Sequence, residues 1–204
     1  MKMIEQRQTP NSRRVRVFMA EKGVALPPLE QIDIMTLGAQ TPEFTAQNPM
    51  QAVPMLVLDN GHCISESVAI CRYFEETNPE PALFGTGPEG RATVEMWNRR
   101  MELGLLARVA QAFRHLHPAM AQLEVPQVKE WGEGNKAKLG SLFEMMDAQL
   151  AKHEFIAGNA ISIADITALI AIDFMKPIKV ERPAQLAHLD RWHKAMASRP
   201  SAKA

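Results

Sequence analysis

The run "VPMLVLDNGHCIS", residues 53–65, constrains the fold more than any other stretch. Met55-Leu56-Val57-Leu58 has strand-forming character, strand character resumes at His62-Cys63-Ile64, and Asp59-Asn60-Gly61 lies between them. Asn-Gly in that place is a hairpin signal, because both residues accept the positive φ of a primed turn. The hairpin cannot grow backwards. Pro54 has no N–H to give a sheet ladder, so it belongs at a strand's first residue or on an edge. From spacing alone two forms of the Val53-Pro54 bond are open. A trans bond makes Pro54 the start of an edge strand. A cis bond bends the chain so that the Val53 N–H and C=O leave the ladder and can pair with an extended peptide as with one more strand.

Around this hairpin the chain mixes short strands and helices. Met1–Glu5 reads as a strand, Thr9-Pro10-Asn11 as a turn, and Val15, Phe18 and Met19 carry helical spacing up to a stop at Gly23. Leu29–Ile34 reads as a second strand and Pro42–Gln47 as a short helix. A further helix opens at Ser65 or its neighbour and runs through Val68, Cys71 and Phe74 to Asn78-Pro79. The order is β-α-β-α-β-β-α, with the first two strands parallel across a helical crossover and the last two antiparallel.

Near residue 85 the texture changes to all-helical. Val94, Trp97, Met101, Leu105, Val109 and Phe113 form one apolar stripe, and Leu139, Leu142, Phe143, Met146 and Leu150 a second. Ile166, Leu169 and Ile170 lie on a third, and Leu189, Trp192 and Met196 on a fourth. The expected organisation is an α/β domain over 1–78, a linker over 79–87 and an all-α domain over 88–204. The linker's Gly85-Thr86-Gly87-Pro88-Glu89-Gly90 has the letters of a dinucleotide fingerprint. It follows a helix end instead of a strand, and Pro88 would sit within the phosphate loop, so it reads as a loop entering a helix.

Lysine plus arginine and aspartate plus glutamate each number 23, a formal charge of zero that offers nucleic acid or an anionic membrane no general attraction. No apolar segment reaches spanning length, and the N-terminus lacks the apolar core of a signal peptide. The two cysteines, Cys63 and Cys71, form no CxxC pair, and a reducing cytoplasm is the expected setting. His115 and His117 lack ligand spacing and companions, so no metal is assigned.

Three motifs in this order resemble the cytosolic glutathione transferases, and the resemblance covers nearly the whole chain. "NPMQAVPMLVLDNG" is similar to the family's Asn-Pro…Val-Pro…Leu segment, "ISESVAICRYFEE" to its Glu-Ser-x-Ala-Ile helix start, and "FIAGNAISIADI" to its helical-domain signature. The resemblance implies a thioredoxin-like N-terminal domain, an all-helical C-terminal domain, a cis Val53-Pro54 bond, glutathione as cosubstrate and a homodimer. Gly158-Asn159 replaces the family's Gly-Asp, which removes a charge and leaves the fold expectation intact. Ser162 and Asp165 form a capping box, which is a structural device.

Glu66 and Ser67 stand at a helix start, where unpaired N–H groups and the macrodipole favour an anion. One reading is an ordinary cap, with Ser65 as N-cap and Glu66 favouring the dipole. The resemblance implies another: Ser67 receives a carboxylate and Glu66 an ammonium, as suits the amino-acid end of a γ-glutamyl group. It also places Gln40 and Gln51 near the glycine end or backbone of glutathione and Val53 against it, while a solvated position for either glutamine is equally open. A free thiol has a pKa of about 8.5, so an enzyme using it must hold the thiolate with donors or positive dipoles. Tyr73 lies too far along the chain and no cysteine precedes Cys63, which excludes a tyrosine- or cysteine-type site on this resemblance. Thr9 aligns with the serine position of serine-type members, and Thr9-Pro10-Asn11 resembles bacterial nu-class members, whose threonine and asparagine flank the thiol. Thr9 and Asn11 are therefore the expected catalytic donors, with Ser12 a further candidate; a simple turn with Asn11 or Ser12 capping the helix is compatible with that role. The run Arg13, Arg14, Arg16 is expected on a solvated face or in subunit salt bridges.

The function this implies is transfer of glutathione to a small electrophile, with Met96, Met101, Phe113 and Met120 as candidates for an adaptable apolar wall. Glutathione-dependent reduction of a disulfide or peroxide is the rival, and a non-catalytic binding or assembly module the third reading. Arg99 and Glu102 are conceivable contributors from a partner subunit.

Overall fold

The computed structural model describes residues 1–204. Two compact units divide the chain: 1–83 with 200–204, and 84–199. The last five residues, expected in the helical part, group with the first unit. There Arg13 donates to the Ala202 carbonyl at 2.8 Å and Ser201 bonds Glu21.

The first unit has strands β1 (Lys2–Glu5), β2 (Leu29–Gln31), β3 (Met55–Val57) and β4 (Cys63–Ser65), with helices α1 (Pro10–Lys22), α2 (Pro42–Gln47) and α3 (Ser67–Thr77). The sheet order is β2-β1-β3-β4. As expected, β1 and β2 are parallel and β3 and β4 antiparallel; the structure adds an antiparallel pairing of β3 with β1. β2 is shorter than the expected Leu29–Ile34. Its three residues are exposed, and pairing stops once Ile32 N–H has bonded the Glu5 carbonyl, because β1 ends there. Side chains alternate across the sheet. Ile4 and Met55 pack with Ala39, Phe44 and Val53 in one core layer, while their neighbours Met3 and Leu56, also fully buried, point to the opposite face. α1 ends at Gly23, whose φ of 65° and N–H bonds to Ala20 and Met19 carbonyls close the last turn.

The arginine run departs from expectation. Arg14 and Arg16 are 2% and 3% exposed. Arg16 pairs with the fully buried Glu5 and donates to the Arg7 carbonyl at 2.7 Å, while Glu5 also accepts from Gln31 Nε2 at 2.8 Å. A charge adjacent to solvated positions in sequence is thus inside, because it meets a carboxylate from the central strand.

The second unit is helical: α4 (Gly87–Arg99), a π-helical segment (Arg100–Leu106), α5 (Ala107–Leu116), α6 (Lys129–Ala137), α7 (Leu139–Leu150), α8 (Ile163–Asp173) and α9 (Ala187–Ser198). The Gly-x-Gly-x-x-Gly segment is indeed a loop entering α4. A Cβ on Gly85, which has φ 80°, would lie 2.6 Å from the Gly90 carbonyl oxygen. α8 is buried from Ile163 through Ile172, which is why it is apolar all round. α6 escaped the sequence reading, since "KEWGEGNKA" has two glycines and one large apolar residue. Tertiary packing on α5 holds it: a Cβ on Gly132 would stand 2.6 Å from Leu116 Cγ. No helix is long and apolar enough to cross a membrane.

Candidate active site

Strand register brings the expected residues of the first unit to one end of the sheet. Ile4 pairs with Met55, and Met55 with Ser65. The end of β1, the beginning of β3 and the end of β4 therefore lie side by side. From that end the chain runs into the 6–9 turn with Thr9, arrives through Gln51, Val53 and Pro54, and leaves through Glu66 and Ser67. β2 is parallel to β1, so its exit towards Gln40 is at the same end. α1 and α3 both start there, and each brings unpaired N–H groups and a positive dipole end.

Thr9 is the N-cap of α1, with extended backbone and Pro10 behind it. Its hydroxyl lies 2.9 Å from the Gln6 carbonyl and 2.8 Å from Ser12 Oγ. Ser12 is wholly buried, so of the two hydroxyls only the half-buried Thr9 has access to solvent. Asn11 is exposed, and its Oδ1 accepts from Arg14 Nη2 at 2.9 Å. An arginine has no acceptor, so the bond assigns oxygen to the Arg14 side and leaves the amide NH₂ facing outward.

The Val53-Pro54 bond is cis, one of three such bonds with Glu80-Pro81 and Val125-Pro126. Val53 lies ahead of the paired register, which begins at Met55. Glu66 does not follow the ordinary cap. Ser65 is the last residue of β4, Glu66 is the N-cap with φ 68° and ψ 114°, and its side chain makes no capping bond. A non-glycine residue there is strained and unusual. Ser67 is 5% exposed at the first helical position, with its hydroxyl unbonded within the protein. Gln51 also has positive φ, at 52°, and donates to Thr45 Oγ1 at 3.2 Å; Gln40 ends a short 3-10 turn and is exposed.

Of the four residues expected to form an apolar wall, Met101 and Met120 are core residues of the helical unit. Met96 is 43% exposed, and the half-buried Phe113 stacks against His117 and Phe174 with ring centroids 4.8 and 5.0 Å apart. Sequence reasoning missed the π-helical segment that follows α4, where Arg99 and Glu102 pair at 2.8 Å, because periodicity averages over one inserted residue. It also missed Arg14, whose part in orienting Asn11 has no signature beyond a spacing of three on a helix. No group of three His, Cys, Asp or Glu side chains is arranged to hold a metal ion.

A thioredoxin-like sheet with a cis-proline strand entry and helix starts at one end, together with an all-helical unit, is the domain combination of the glutathione transferase class. Family models for the glutathione S-transferase N-terminal domain and C-terminal domain match residues 4–82 and 97–200. The chain is 34% identical to glutathione S-transferase 2 of Saccharomyces cerevisiae over 196 residues, 95% of this chain and 84% of that protein. It is 30% identical to the maleylacetoacetate isomerase of Mus musculus over 172 residues, 82% of this chain and 74% of that one. The crystal structure of a glutathione S-transferase domain-containing protein from Marinobacter aquaeolei VT8 superposes with a TM-score of 0.95 at 36% identity, covering 98% of this chain and 99% of that one. The chain belongs to the glutathione S-transferase family. It is a glutathione-dependent transferase, with glutathione as its cosubstrate.

Proposed function

We infer that Thr9 and Asn11 hold the glutathione thiolate and that Glu66, Ser67, Val53, Gln40 and Gln51 hold the rest of the tripeptide, so that the bound thiolate attacks a small electrophile. The register from Ile4 through Met55 to Ser65 carries this reading, since it collects these positions at one sheet end. Ser67 offers an unused hydroxyl and a helix N-terminal N–H to the γ-glutamyl carboxylate, and Glu66 an exposed carboxylate to its ammonium. The Val53 main chain pairs with the tripeptide in the manner of an added strand, with Pro54 ending the protein's own ladder. The Thr9 hydroxyl and the Asn11 amide then face the sulfur, and the positive end of α1 adds to them. Together they hold the thiol below its ordinary value of about 8.5, which raises the thiolate fraction at neutral pH.

Attack forms the new sulfur–electrophile bond, while the leaving group or the adjacent atom of the electrophile takes the electron pair. Reduction of a disulfide or peroxide is the second reading: two glutathione molecules, or a glutathione and a mixed disulfide, would share the same site, and no protein cysteine takes part, Cys71 being buried and Cys63 bonded to Gln47 and the Gly61 carbonyl at 3.6 and 3.7 Å. Residues 1–78 carry glutathione binding in this reading and 88–204 the second substrate, with 79–87 as linker. A homodimer in the cytoplasm completes the proposal.

Thiolate ultraviolet absorbance against pH tests it. The wild type is expected to bind glutathione with a lowered thiol pKa, and Thr9→Ala/Asn11→Ala to bind it with that shift lost. Binding with an unmoved pKa in the wild type overturns the donor assignment. Turnover of an electrophile and of a glutathione mixed disulfide by the same preparation then separates transfer from reduction.

A further inference from the structure

One arrangement of protons makes both contacts of the Thr9 hydroxyl hydrogen bonds and leaves the buried Ser12 hydroxyl with an acceptor. The hydroxyl has a single proton, and the Gln6 carbonyl 2.9 Å away can only accept. In that arrangement Thr9 donates to Gln6, and across the 2.8 Å contact Ser12 donates to Thr9 Oγ1. Ser12 is wholly buried within α1 and makes no other side-chain hydrogen bond, so its proton stays on Thr9. The Gln6 carbonyl also receives the Thr9 backbone N–H at 3.0 Å. It remains satisfied if the Thr9 hydroxyl turns away.

Building on the assignment of Thr9 as a thiolate donor, we propose that Ser12 is a positioning residue for it, directing the Thr9 proton to the glutathione sulfur. When sulfur arrives, the Thr9 O–H rotates from the Gln6 carbonyl to the thiolate. Ser12 keeps its own hydrogen bond to Thr9 Oγ1 throughout. That bond keeps the Thr9 lone pair off the anion, which would repel it, and strengthens the O–H as a donor, since a hydroxyl that accepts a hydrogen bond polarises towards giving one. Ser12 never touches the ligand. The chain of protons runs Ser12 to Thr9 to sulfur, with Gln6 as the resting acceptor.

The test is a double-mutant cycle read on the thiol of bound glutathione, with S-methylglutathione affinity as a measure of binding that involves no thiolate. Ser12→Ala is expected to raise the thiol pKa by about 0.5–1, the effect of one neutral hydrogen bond, and to leave S-methylglutathione affinity unchanged. Thr9→Ala is expected to raise it further, and Ser12→Ala to add nothing in the Thr9→Ala background. Ser12→Cys, which fills the same space with a weak donor, keeps the test available should the alanine variant fold poorly, and is expected to fall between wild type and alanine. A thiol pKa unchanged in Ser12→Ala or Ser12→Cys while Thr9→Ala raises it overturns the role of Ser12. Equal rises from Ser12 and Thr9 variants that add in the double variant also overturn it, since they act independently. An unmoved pKa in Thr9→Ala instead defeats the donor assignment of Thr9.

Discussion

Arg14, buried in α1, donates to Asn11 Oδ1 at 2.9 Å, and this bond decides which end of an exposed amide faces outward. The guanidinium cannot accept, so the Asn11 NH₂ is left to donate, and a buried positive charge stands one hydrogen bond behind it. In Asn11→Asp, one carboxylate oxygen is expected to keep Arg14 while the other turns to the sulfur. The bound thiol pKa should rise by about 1–2 relative to wild type, since a like charge then faces the thiolate. Asn11→Ala should raise it less. Thiolate absorbance titration checks the order, and equal values for Asp and Ala would remove Asn11 from the sulfur's surroundings.

Glu66 is held at φ 68° without a capping bond, a strained backbone fixed by the junction of β4 and α3. Glu66→Gly is expected to raise stability against unfolding by about 1 kcal/mol in the absence of ligand, because removing Cβ relieves its clash at positive φ. The same change should weaken glutathione binding about tenfold through loss of a charge-assisted contact. Urea unfolding and calorimetric titration read the two effects separately. A variant that is neither more stable nor weaker in binding would contradict both halves.

Ser67 is 5% exposed at the first residue of α3. Ser67→Ala should raise the glutathione KM roughly 10- to 100-fold, as for a hydrogen bond to a charged group, with kcat little changed. Steady-state kinetics with glutathione varied would show the split. A fall in kcat at constant KM would place Ser67 nearer the sulfur than the carboxylate.

Lys22 and Glu75 form a buried pair at 2.8 Å, and Lys22 also donates to the Pro81 carbonyl at 2.7 Å. Glu75 in addition accepts from Leu83 N–H at 3.3 Å. Lys22→Met strands a carboxylate inside the first unit and is expected to cost about 3–5 kcal/mol. Lys22→Met/Glu75→Leu removes both charges and should cost less than either single change. Chemical denaturation of the four proteins gives the cycle, and additive costs would show that the pair is not coupled.

Asp165 is fully buried and accepts from Ile156 N–H at 2.8 Å, Ser162 N–H at 3.0 Å, Ser162 Oγ at 2.9 Å and Trp192 Nε1 at 2.9 Å. Burial pushes its carboxyl from 3.8 up to about 6 against the opposing pull of those donors. The native group therefore holds its proton over a range where the unfolded chain has lost it, and this contribution to stability falls as pH rises from about 4 to about 6, levelling above. Its full size is about 3 kcal/mol. Asp165→Asn removes the titration, so the stability gap between wild type and variant should narrow by about that amount from pH 4 to pH 6.5. Urea midpoints across this range check it; a gap that widens with pH would mean that the donors outweigh burial.

Local signals in the sequence were enough for the order of elements along the first unit, the Asn-Gly hairpin, the capping box at Ser162 and the helical texture beyond residue 85. Each rests on a period, a turn residue or a cap that acts within a few residues along the chain. The proposed grouping of Thr9-Pro10-Asn11 with Val53-Pro54 and Glu66-Ser67 comes from resemblance, because no local rule links residues 9, 53 and 66. Tertiary structure alone decided the rest. It buried Arg14 and Arg16, which local charge patterning assigns to solvent, because Glu5 on the central strand and Asn11 at the helix start are there to receive them. It made α6 a helix against its weak periodicity, through the close approach of Gly132 to Leu116. It set Glu66 at a positive φ and enclosed Ser12 behind Thr9. These features depend on which groups meet across the fold, and desolvation makes those meetings decisive: a charge or hydroxyl taken out of water must find its partner wherever the fold supplies one.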